Sequence, residues 1–426
     1  MVETIHPVSV LEGAVRLPGD KAVSHRYAML SSIAEGTSTI HNYSSGADCA
    51  STLGCMKALG VPITKEGKTV TVQGVGLDGL KAPSAKLDAG NSGSTIRMLS
   101  GILAAQPFEC EIEGDESLAK RPMARIITPL AQMGAQIEAK DGKYPPLHIH
   151  GRKLTAIDYT LPVASAQVKT AVLFAGIYCD GATIVREPVL TRDHSEIALR
   201  EFGAEVESMG KVITLHGRPK LTGRELTVPG DISSSSFFLV AAMLKPGSRI
   251  VIEGVGLNPT RAGLMDFLAG GGAKIRVANI GQVNGEVVGD IVVEYARWEG
   301  GIIEKATTAQ LIDEIPALAV LGATSKQGLT VRDAAELRVK ETDRIATVAE
   351  NMKRMGIEMQ VEQDGFHVPG NQQFKAATVD SFGDHRIAMA FSVAALAADG
   401  PCTIEDAGAA SVSFPEFYTM IRGLAR

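Results

Sequence analysis

A cluster of polar side chains stands near the N-terminus, where an apolar helical pattern begins: Lys21, Ser24, His25 and Arg26. They lie in the segment LPGDKAVSHRYAML, in which a Pro-Gly turn ends an extended run and a helix is predicted to follow. The first N–H groups of a helix carry partial positive charge and favour anions. Cations at this helix start therefore indicate a bound phosphate or carboxylate, although a lone surface cation is more often simply solvated.

Helix starts of the same kind recur six times, roughly every 70 to 80 residues. Donors converging at such starts would form an anion pocket reinforced by the helix dipoles. Serine at a helix start is also a common capping residue, so only the whole set favours binding. The polar residues at the other five starts are Asn91, Ser94 and Arg97; Ser165, Gln167 and Lys169; Ser233, Ser234 and Ser235; Asp313 and Glu314; and Asp384, His385 and Arg386.

Two predicted loops add further charge next to helices. The segment SLAKRPMARI carries Lys120, Arg121 and Arg125, and the segment AAELRVKETDRIATV carries Arg338, Lys340, Glu341, Asp343 and Arg344. Mixed charges three or four residues apart are also typical of a solvated helix face. Cations that gather near the helix starts would instead belong to the same anion site.

The elements that must position these residues form a repeated unit. A second helix in each interval is predicted to end at a glycine, which adopts the left-handed capping conformation at no steric cost; these glycines are Gly60, Gly134, Gly203, Gly272, Gly356 and Gly423. A strand pattern follows each one, so every unit is of the strand–helix–strand–helix–strand type. Six units predict two domains, one of residues 1–19 and 230–426 and one of residues 20–229, closing as a hinge over a cleft.

The composition excludes several classes of protein. The chain has 426 residues, 45% hydrophobic and 21% charged, which suits a two-domain α/β enzyme. Its formal charge of −6 argues against nucleic-acid or membrane-surface partners held by bulk charge. Five cysteines without a CxxC pair indicate reduced thiols in a cytoplasmic protein, and no apolar run is long enough to span a membrane.

The motifs taken together resemble the EPSP synthase family, the 3-phosphoshikimate 1-carboxyvinyltransferases, from end to end. The matching segments occur in the family's order: LPGDKAVSHR, GNSGSTIR, KRPM, ASAQVKTA, TRDH, VPGDISSS, IDEIP, RVKETDR, DHRIAM and SFPEF. The SHR, SAQVK and TRDH forms are similar to the second sequence class of the family. The resemblance implies an enolpyruvyl transferase fold, an inside-out α/β barrel in which each of two domains contains three βαβαββ units.

The resemblance also implies the reaction. The carboxyvinyl group of phosphoenolpyruvate passes to the 5-hydroxyl of shikimate 3-phosphate by addition and elimination, and phosphate is released in this step of aromatic amino-acid biosynthesis. The two substrates together bring a charge of roughly −5 to −6, which cations gathered locally must balance. No cofactor and no metal are expected, glyphosate is the expected inhibitor, and the protein is expected to be a monomer.

Site residues are carried over from the family motifs position by position. The resemblance assigns phosphoenolpyruvate to Lys21, Gly93, Arg121, Gln167, Arg344 and Arg386. It assigns shikimate 3-phosphate to Lys21, Arg26, Ser165, Ala166, Gln167, Arg192, Asp313 and Lys340. For proton transfer we select Asp313 for the hydroxyl and Glu341 for the methylene carbon, with Lys21 able to share either step.

The sequence departs from the family pattern at Ala22, where a serine hydroxyl normally contacts shikimate 3-phosphate. Val412 stands where the plant and enteric class has lysine, a residue that the second class generally lacks. Two rival functions remain at this point: a UDP-N-acetylglucosamine 1-carboxyvinyltransferase and a non-catalytic phosphosugar-binding protein. The first rival carries a reactive cysteine in a loop, and its first helix begins with Lys-Asn. This chain has Glu116 in place of the cysteine and Lys21-Ala22 in place of Lys-Asn, which disfavours that rival. Retention of Asp313 and Glu341 disfavours the second.

Overall fold

The computed structural model describes residues 1–261 and 263–426, which fall into two compact units. The unit that holds both termini, here called the terminal unit, comprises residues 1–18, 230–282 and 287–426. The other, here called the middle unit, comprises residues 19–229 and 283–286. The chain therefore changes unit at the two Pro-Gly steps, Pro18-Gly19 and Pro229-Gly230.

One short segment groups differently from the sequence-based partition. We expected residues 230–426 to stay together, but residues 283–286 belong to the middle unit. Asn284 explains the difference, because its Oδ1 accepts a hydrogen bond from the N–H of Thr227 at 2.9 Å. Its Nδ2 also donates to the carboxylate of Glu201 at 3.1 Å. These partners are distant in sequence, so no local pattern could have indicated them.

Thirteen α-helices lie in the part of the chain that the structure describes. They are α1 (Lys21–Ile33), α2 (Ala47–Ala58), α3 (Gly93–Leu103), α4 (Ala124–Gln132), α5 (Ala166–Gly176), α6 (His194–Glu201), α7 (Ile232–Leu244), α8 (Gly263–Gly270), α9 (Ala306–Leu311), α10 (Ile315–Thr324), α11 (Arg344–Arg354), α12 (His385–Ala395) and α13 (Phe417–Leu424). Short 3-10 helices occupy Leu118–Lys120, Ala335–Val339 and Ala407–Val412.

Three helices form the centre of each unit, and they begin at the repeated polar starts. In the middle unit α3 packs against α1 and α5, and in the terminal unit α10 packs against α7 and α12. Nearly every residue of these six helices is buried, as expected for helices that are apolar or small on all sides. At Gly101 of α3 an added Cβ would lie 2.1 Å from the carbonyl oxygen of Ala171. Close packing of α3 on α5 therefore requires glycine there.

The two helices that follow the unit changes are capped in the same way. The segments LPGDK and VPGDI each place an aspartate before the first helical turn. Asp20 Oδ1 accepts from the N–H of Val23 at 3.0 Å, and Asp231 Oδ1 accepts from the N–H of Ser233 at 2.8 Å. Aspartate is among the preferred residues at this position because it satisfies a helix donor that has no partner within the helix. A local sequence signal thus sets the start of α1 and of α7.

Three four-stranded sheets surround the central helices of the middle unit. Each sheet begins with a parallel pair and continues with antiparallel pairs. In spatial order the strands are Glu225–Thr227, Glu35–His41, Thr69–Val75 and Ile63–Glu66; Leu87–Asp88, Glu109–Glu113, Tyr144–His150 and Gln136–Lys140; and Asp158–Thr160, Ala182–Arg186, Val212–His216 and Val206–Met209.

The terminal unit repeats this plan with two four-stranded sheets and one three-stranded sheet among its described residues. The strands in spatial order are Lys274–Val283, Glu286–Glu294, Arg249–Gly256 and Glu12–Arg16; Gly301–Ile303, Leu329–Val331, Phe366–Val368 and Gln360–Val361; and Glu3–Ile5, Cys402–Glu405 and Thr378–Asp380. Each sheet again contains one parallel pair. Helices therefore lie inside and sheets outside in both units, the arrangement that the sequence predicted.

The strands that precede α1 and α7 each belong to a different unit from the helix that follows them. Glu12–Arg16 pairs in parallel with Arg249–Gly256 of the terminal unit, with Ala14 opposite Val251. Glu225–Thr227 pairs in parallel with Glu35–His41 of the middle unit, with Leu226 opposite Ile40. The N-terminal strand thus pairs into the C-terminal half of the chain, as expected.

The glycine caps follow the prediction at five of the six positions, all within the described residues. Gly60, Gly134, Gly203, Gly272 and Gly356 follow helices and have positive φ angles between 74° and 102°. Gly423 was predicted to be the sixth cap, and this was wrong because it lies inside α13. The chain needs no tight turn there, since Ala425 pairs with Leu11 shortly afterwards.

None of the helices in the described ranges combines the length and the apolar character needed to cross a bilayer.

Candidate active site

Lys21 is the first residue of α1, and its ammonium group is held by an aspartate of α2. Lys21 Nζ donates to Asp48 Oδ2 at 2.8 Å, and the Asp48 side chain is almost completely buried. The Lys21 side chain keeps about a fifth of its surface exposed. Because Asp48 fixes the direction of the lysine, the ammonium group is held at the start of α1 with one face open to solvent.

Arg26 lies one turn further along α1 and is almost wholly buried. Its Nε donates to Ser195 Oγ at 2.7 Å, its Nη2 to Thr170 Oγ1 at 2.8 Å and its Nη1 to the carbonyl of Ala22 at 2.8 Å. Burial lowers the pKa of Arg26 to about 10, although the carboxylates of Glu196 and Asp20 act against this. The guanidinium group therefore joins α1 to α5 and α6.

The start of α3 carries a second group of donors. Arg121 Nη2 donates to Asn91 Oδ1 at 2.8 Å, and Gln167 of α5 bridges to α3 through two hydrogen bonds. Gln167 Oε1 accepts from Arg97 Nη1 at 2.7 Å, and its Nε2 donates to Ser94 Oγ at 3.0 Å. Arg121 and Gln167, two of the residues predicted to bind phosphoenolpyruvate, thus have their side chains at the adjoining starts of α3 and α5, whereas Lys21 lies at the start of α1.

Gly93 is the first residue of α3 and lies beside these arginines. An added Cβ there would lie 3.1 Å from Arg97 Nη1 and 3.4 Å from Arg121 Nη1. Both contacts are close for a carbon atom, so the absence of a side chain lets the guanidinium groups approach the helix start. The glycine therefore serves packing around the predicted anion site and not a special backbone angle.

The remaining predicted residues of the middle unit lie at the starts of α5 and α6. Ser165 caps α5, with its Oγ accepting from the N–H of Val168 at 3.4 Å, and Ala166 is the first helical residue. Arg192 lies in the loop between the strand Ala182–Arg186 and α6, close enough to Arg26 to lower the pKa of that residue. This loop presents a cation next to the start of α6.

Lys169 was counted among the anion donors in the sequence analysis, and the structure corrects this. Its side chain is fully buried, and its Nζ lies 2.7 Å from Glu196 Oε1 and 3.2 Å from Glu187 Oε2. A lysine held between two carboxylates inside the protein is not placed to bind a substrate anion. The sequence pattern could not reveal this, because both glutamates lie well beyond the segment that carries the lysine.

The predicted site residues of the terminal unit gather around Arg344, the first residue of α11. Arg344 Nη2 donates to Glu341 Oε2 at 2.5 Å, and its Nε donates to Asp384 Oδ2 at 2.8 Å. Its Nη1 lies 3.6 Å from Asp313 Oδ1, and the side chain is only 1% exposed. One buried guanidinium group therefore contacts three carboxylates from three different segments.

Asp313 and Lys340 lie on the more open side of this cluster. Lys340 Nζ is 3.9 Å from Asp313 Oδ1, and the two side chains are 27% and 17% exposed. Arg386, the second residue of α12, donates from Nη1 to the backbone carbonyl of Asp313 at 2.7 Å. Two carboxylates of acid or base type, Asp313 and Glu341, are thus brought together with three cations.

Burial and charge act in opposite directions on this cluster. Burial alone would lower the pKa of Arg344, but Asp384 and Glu341 outweigh it and raise that pKa above its usual value. Burial alone would raise the pKa of Asp384, but Arg344 outweighs it and lowers that pKa. The pKa of Lys340 is lowered, mainly by burial. Arg344 and Asp384 therefore remain an ion pair over the physiological pH range.

Two structural partners of the site were missed by sequence reasoning about function. Asp384 was noted only as part of a helix start, yet it caps α12, accepting from the N–H of Arg386 at 2.9 Å, and pairs with Arg344. Its capping position was a usable signal. Asp48 gave no signal, since only the folded chain brings it from α2 to Lys21.

A group of possible metal ligands lies elsewhere, at the surface of the middle unit. Glu205, Glu207 and His216 have ligand atoms within 4.8 Å of one another. Glu207 and His216 lie on neighbouring strands of an outer sheet and Glu205 directly precedes the first of these strands, so the group is not at the helix starts that hold the cations. Acidic groups at a surface commonly occur without a metal, so this group supports no metal role in the candidate site.

Comparisons with known proteins agree on one family. The sequence profile of the family described as EPSP synthase (3-phosphoshikimate 1-carboxyvinyltransferase) matches residues 5–421. A 3-phosphoshikimate 1-carboxyvinyltransferase of Solibacter usitatus is 63% identical over 425 residues, covering 100% of each chain.

Solved structures extend this agreement to the fold. An EPSP synthase from Acinetobacter baumannii has a TM-score of 0.88 and 41% identity, covering 100% of this chain and 98% of its own. The enolpyruvyl transferase NikO from Streptomyces tendae has a TM-score of 0.79 at 19% identity, covering 99% and 97%, which supports the fold alone. The predicted fold class is confirmed, and the chain belongs to the EPSP synthase family of 3-phosphoshikimate 1-carboxyvinyltransferases.

Proposed function

We propose that this chain transfers the carboxyvinyl group of phosphoenolpyruvate to the 5-hydroxyl of shikimate 3-phosphate, with release of phosphate, through the two groups of residues described above. The observation that carries the proposal is the cluster around Arg344. It combines two partly exposed carboxylates, Asp313 and Glu341, with the cations Lys340 and Arg386. An addition and elimination between two anionic substrates needs both kinds of group.

Anion binding is divided among cations of different geometry. Arg121, Arg344 and Arg386 carry planar, forked donors that suit the carboxylate and phosphate of phosphoenolpyruvate. Gly93 leaves room for Arg121, and Gln167 joins α3 to α5 beside it. These fixed cations neutralise the charge on the attacking and leaving oxygens, which is commonly the largest single contribution to catalysis.

Shikimate 3-phosphate is proposed to bind through Lys21, Arg192 and Lys340, with Asp313 on its 5-hydroxyl. Ser165, Ala166 and Gln167 line the start of α5, where backbone N–H groups favour a phosphate. Arg26 is also proposed to bind this substrate, and its guanidinium group is held in place by Ala22, Thr170 and Ser195.

Proton transfer is assigned to two carboxylates and one lysine. In the addition step Asp313 takes the proton of the 5-hydroxyl, Glu341 gives a proton to the methylene carbon, and the 5-oxygen bonds to the central carbon of the enolpyruvyl group. In the elimination step the methyl carbon returns its proton to Glu341, the carbon–carbon double bond re-forms as the bond from the central carbon to the phosphate oxygen breaks, and the proton held by Asp313 passes to the departing phosphate. Lys21 is able to share either transfer, and the three groups act as one coupled set.

The test is phosphate release from phosphoenolpyruvate with three acceptors in parallel: shikimate 3-phosphate, UDP-N-acetylglucosamine and none. We expect phosphate to be released only when shikimate 3-phosphate is the acceptor. Release with the UDP-sugar would favour the rival transferase, and binding of both proposed substrates without release would favour a binding protein.

Further parts of the proposal concern inhibition, assembly and location. Gly93 leaves space beside Arg121, so we expect glyphosate to compete with phosphoenolpyruvate. Monomeric assembly and a cytoplasmic location stay predictions from the sequence. Inhibition kinetics, light scattering and cell fractionation test the three expectations separately.

A further inference from the structure

Three charged side chains with no part in the proposed chemistry form a buried triad in the middle unit. Lys169 of α5 lies 2.7 Å from Glu196 of α6 and 3.2 Å from Glu187, and all three side chains are at most 2% exposed. Burying three charges is costly unless each one is compensated and hydrogen-bonded. An apolar cluster would stabilise the same interior with less cost, so the triad calls for another explanation.

The triad is connected to the loop that carries Arg192. Glu187 Oε1 accepts from the N–H of Thr191 at 3.2 Å and also from the Thr191 hydroxyl. Its other carboxylate oxygen accepts from Lys169. Glu187 therefore links Thr191, the residue before Arg192, to Lys169. The position of Lys169 is fixed because this residue is enclosed in the protein interior.

The opposite end of the triad is connected to the residue pair that holds Arg26. Lys169 and Thr170 are consecutive on α5, and they face the consecutive residues Ser195 and Glu196 on α6. The hydroxyls of Thr170 and Ser195 are 2.5 Å apart, and both accept from Arg26. An ion pair and a hydroxyl pair thus join the starts of α5 and α6 side by side.

Charges of both signs are buried together in this region. Two cations, Lys169 and Arg26, are buried with two carboxylates, Glu187 and Glu196. Burial raises the pKa of Glu196, and Lys169 acts against that rise. Arg192 lies close enough to these buried charges to lower the pKa of Arg26.

We propose that the Lys169–Glu187–Glu196 triad is a positioning device that holds the Arg192 loop and the start of α6 in the arrangement that binds the phosphate of shikimate 3-phosphate. The inference rests on the proposed function, because it takes Arg192 as a ligand of that phosphate. The triad residues are linked to Arg192 through Thr191 of the loop and are positioning residues, not catalytic ones.

The main test is the double variant Lys169→Met/Glu187→Met, which removes one charge of each sign and so leaves the net charge of the interior unchanged. We expect the KM for shikimate 3-phosphate to rise by about ten- to a hundredfold, as for a misplaced binding group. The KM for phosphoenolpyruvate should stay within about twofold, because Arg121 and Arg344 are bound to other partners. Equal increases in both constants would overturn the proposal.

A double-mutant cycle with Arg192→Ala tests whether the triad acts through this arginine. Adding Lys169→Met/Glu187→Met to Arg192→Ala should change the KM for shikimate 3-phosphate by less than about twofold, since coupled residues are not additive. Full additivity would overturn the proposal. The control variant Asp158→Asn/Arg186→Met removes an exposed ion pair between the strands Asp158–Thr160 and Ala182–Arg186, the second of which ends just before Glu187, and should leave both constants unchanged.

Thr191→Val provides a test that does not disturb the interior. It removes only the hydroxyl that donates to Glu187, in a partly exposed loop. The KM for shikimate 3-phosphate should rise about two- to tenfold, and the KM for phosphoenolpyruvate should not change. An unchanged KM for shikimate 3-phosphate would overturn the proposal. Failure of the proposed function is distinguishable, because it would appear as absent turnover by the wild-type enzyme and would overturn both proposals.

Discussion

Arg344 Nη2 donates a hydrogen bond to Glu341 Oε2 at 2.5 Å, and Glu341 precedes it by only three residues at the start of α11. The same guanidinium group is anchored from the other side by Asp384. The arginine is therefore fixed, and it fixes the direction of the Glu341 carboxylate. A proton donor whose position is set before substrate binds loses less entropy during the reaction.

Glu341→Gln tests the role of this carboxylate in proton transfer. The amide keeps the size of the side chain and an oxygen for Arg344, so both substrates should still bind. We expect kcat to fall by about 10²- to 10⁴-fold, the usual contribution of a general acid or base. Steady-state kinetics and calorimetric binding measure the two effects separately.

Glu350→Gln is the matched control for this change. Glu350 lies on α11, which begins three residues after Glu341, and it pairs with Arg354 at 3.0 Å on a more exposed face. The kcat of the Glu350→Gln enzyme should equal that of the wild type, because an exposed ion pair contributes little to stability. Normal turnover by a Glu341→Gln enzyme that binds both substrates would contradict the assigned role.

Ala22→Ser tests the departure from the family pattern at the start of α1. The added hydroxyl would provide one more donor to shikimate 3-phosphate, worth about 0.5–1.5 kcal/mol. We expect the KM for shikimate 3-phosphate to fall, by about tenfold at most, with little change in the KM for phosphoenolpyruvate. An unchanged KM for shikimate 3-phosphate would show that the missing hydroxyl has no effect in this enzyme.

Asp384→Asn tests the buried ion pair with Arg344 and its pH dependence. The folded protein lowers the pKa of Asp384 below the ordinary value of 3.8, so the carboxylate stabilises the fold above that pH. The variant should lose about 3–5 kcal/mol of unfolding free energy at pH 7, because a buried cation loses its partner. The difference from the wild type should shrink as the pH falls below about 4.

Denaturant unfolding at a series of pH values measures this prediction. Asp158→Asn is the control, since the pKa of Asp158 is also lowered but its pair with Arg186 is exposed to solvent. The control should be far less destabilised than Asp384→Asn. If the unfolding free energy lost by Asp384→Asn stays constant down to low pH, the ion-pair explanation is contradicted.

Gly93→Ala tests the space beside Arg121. The new methyl group would lie 3.1 Å from Arg97 Nη1 and 3.4 Å from Arg121 Nη1, so the guanidinium groups must shift. We expect the KM for phosphoenolpyruvate to rise by about two- to tenfold, since a shifted arginine binds its anion less well. The same shift should raise the glyphosate concentration needed for half-inhibition.

Gly54→Ala is the control for this substitution. Gly54 lies within α2, and an added Cβ would meet nothing within 4 Å. Alanine favours a helix interior over glycine, so this variant should be as stable as the wild type or more so, with unchanged kinetics. If the kinetics of Gly93→Ala are unchanged as well, the space at Gly93 is not needed to position Arg121.

The amino-acid sequence by itself determined the repeated architecture, the helix starts and the family. These features depend on local chemistry: aspartate caps at Asp20 and Asp231, glycine caps after the second helices, and apolar periodicity within each helix. The same local patterns carried the site residues, whose roles remain proposals. The one misplaced cap, Gly423, failed because a glycine also occurs within helices, and only its surroundings distinguish the two.

The tertiary structure alone decided which charges pair with one another. Lys21 with Asp48, Lys169 with Glu187 and Glu196, and Arg344 with Asp384 are partners from separate segments, brought together by the packing of helices. Sequence reasoning counted Lys169 as an anion donor because a buried lysine and an exposed one look alike in a sequence. Burial and the position of the countercharge distinguish them, and both are properties of the folded chain.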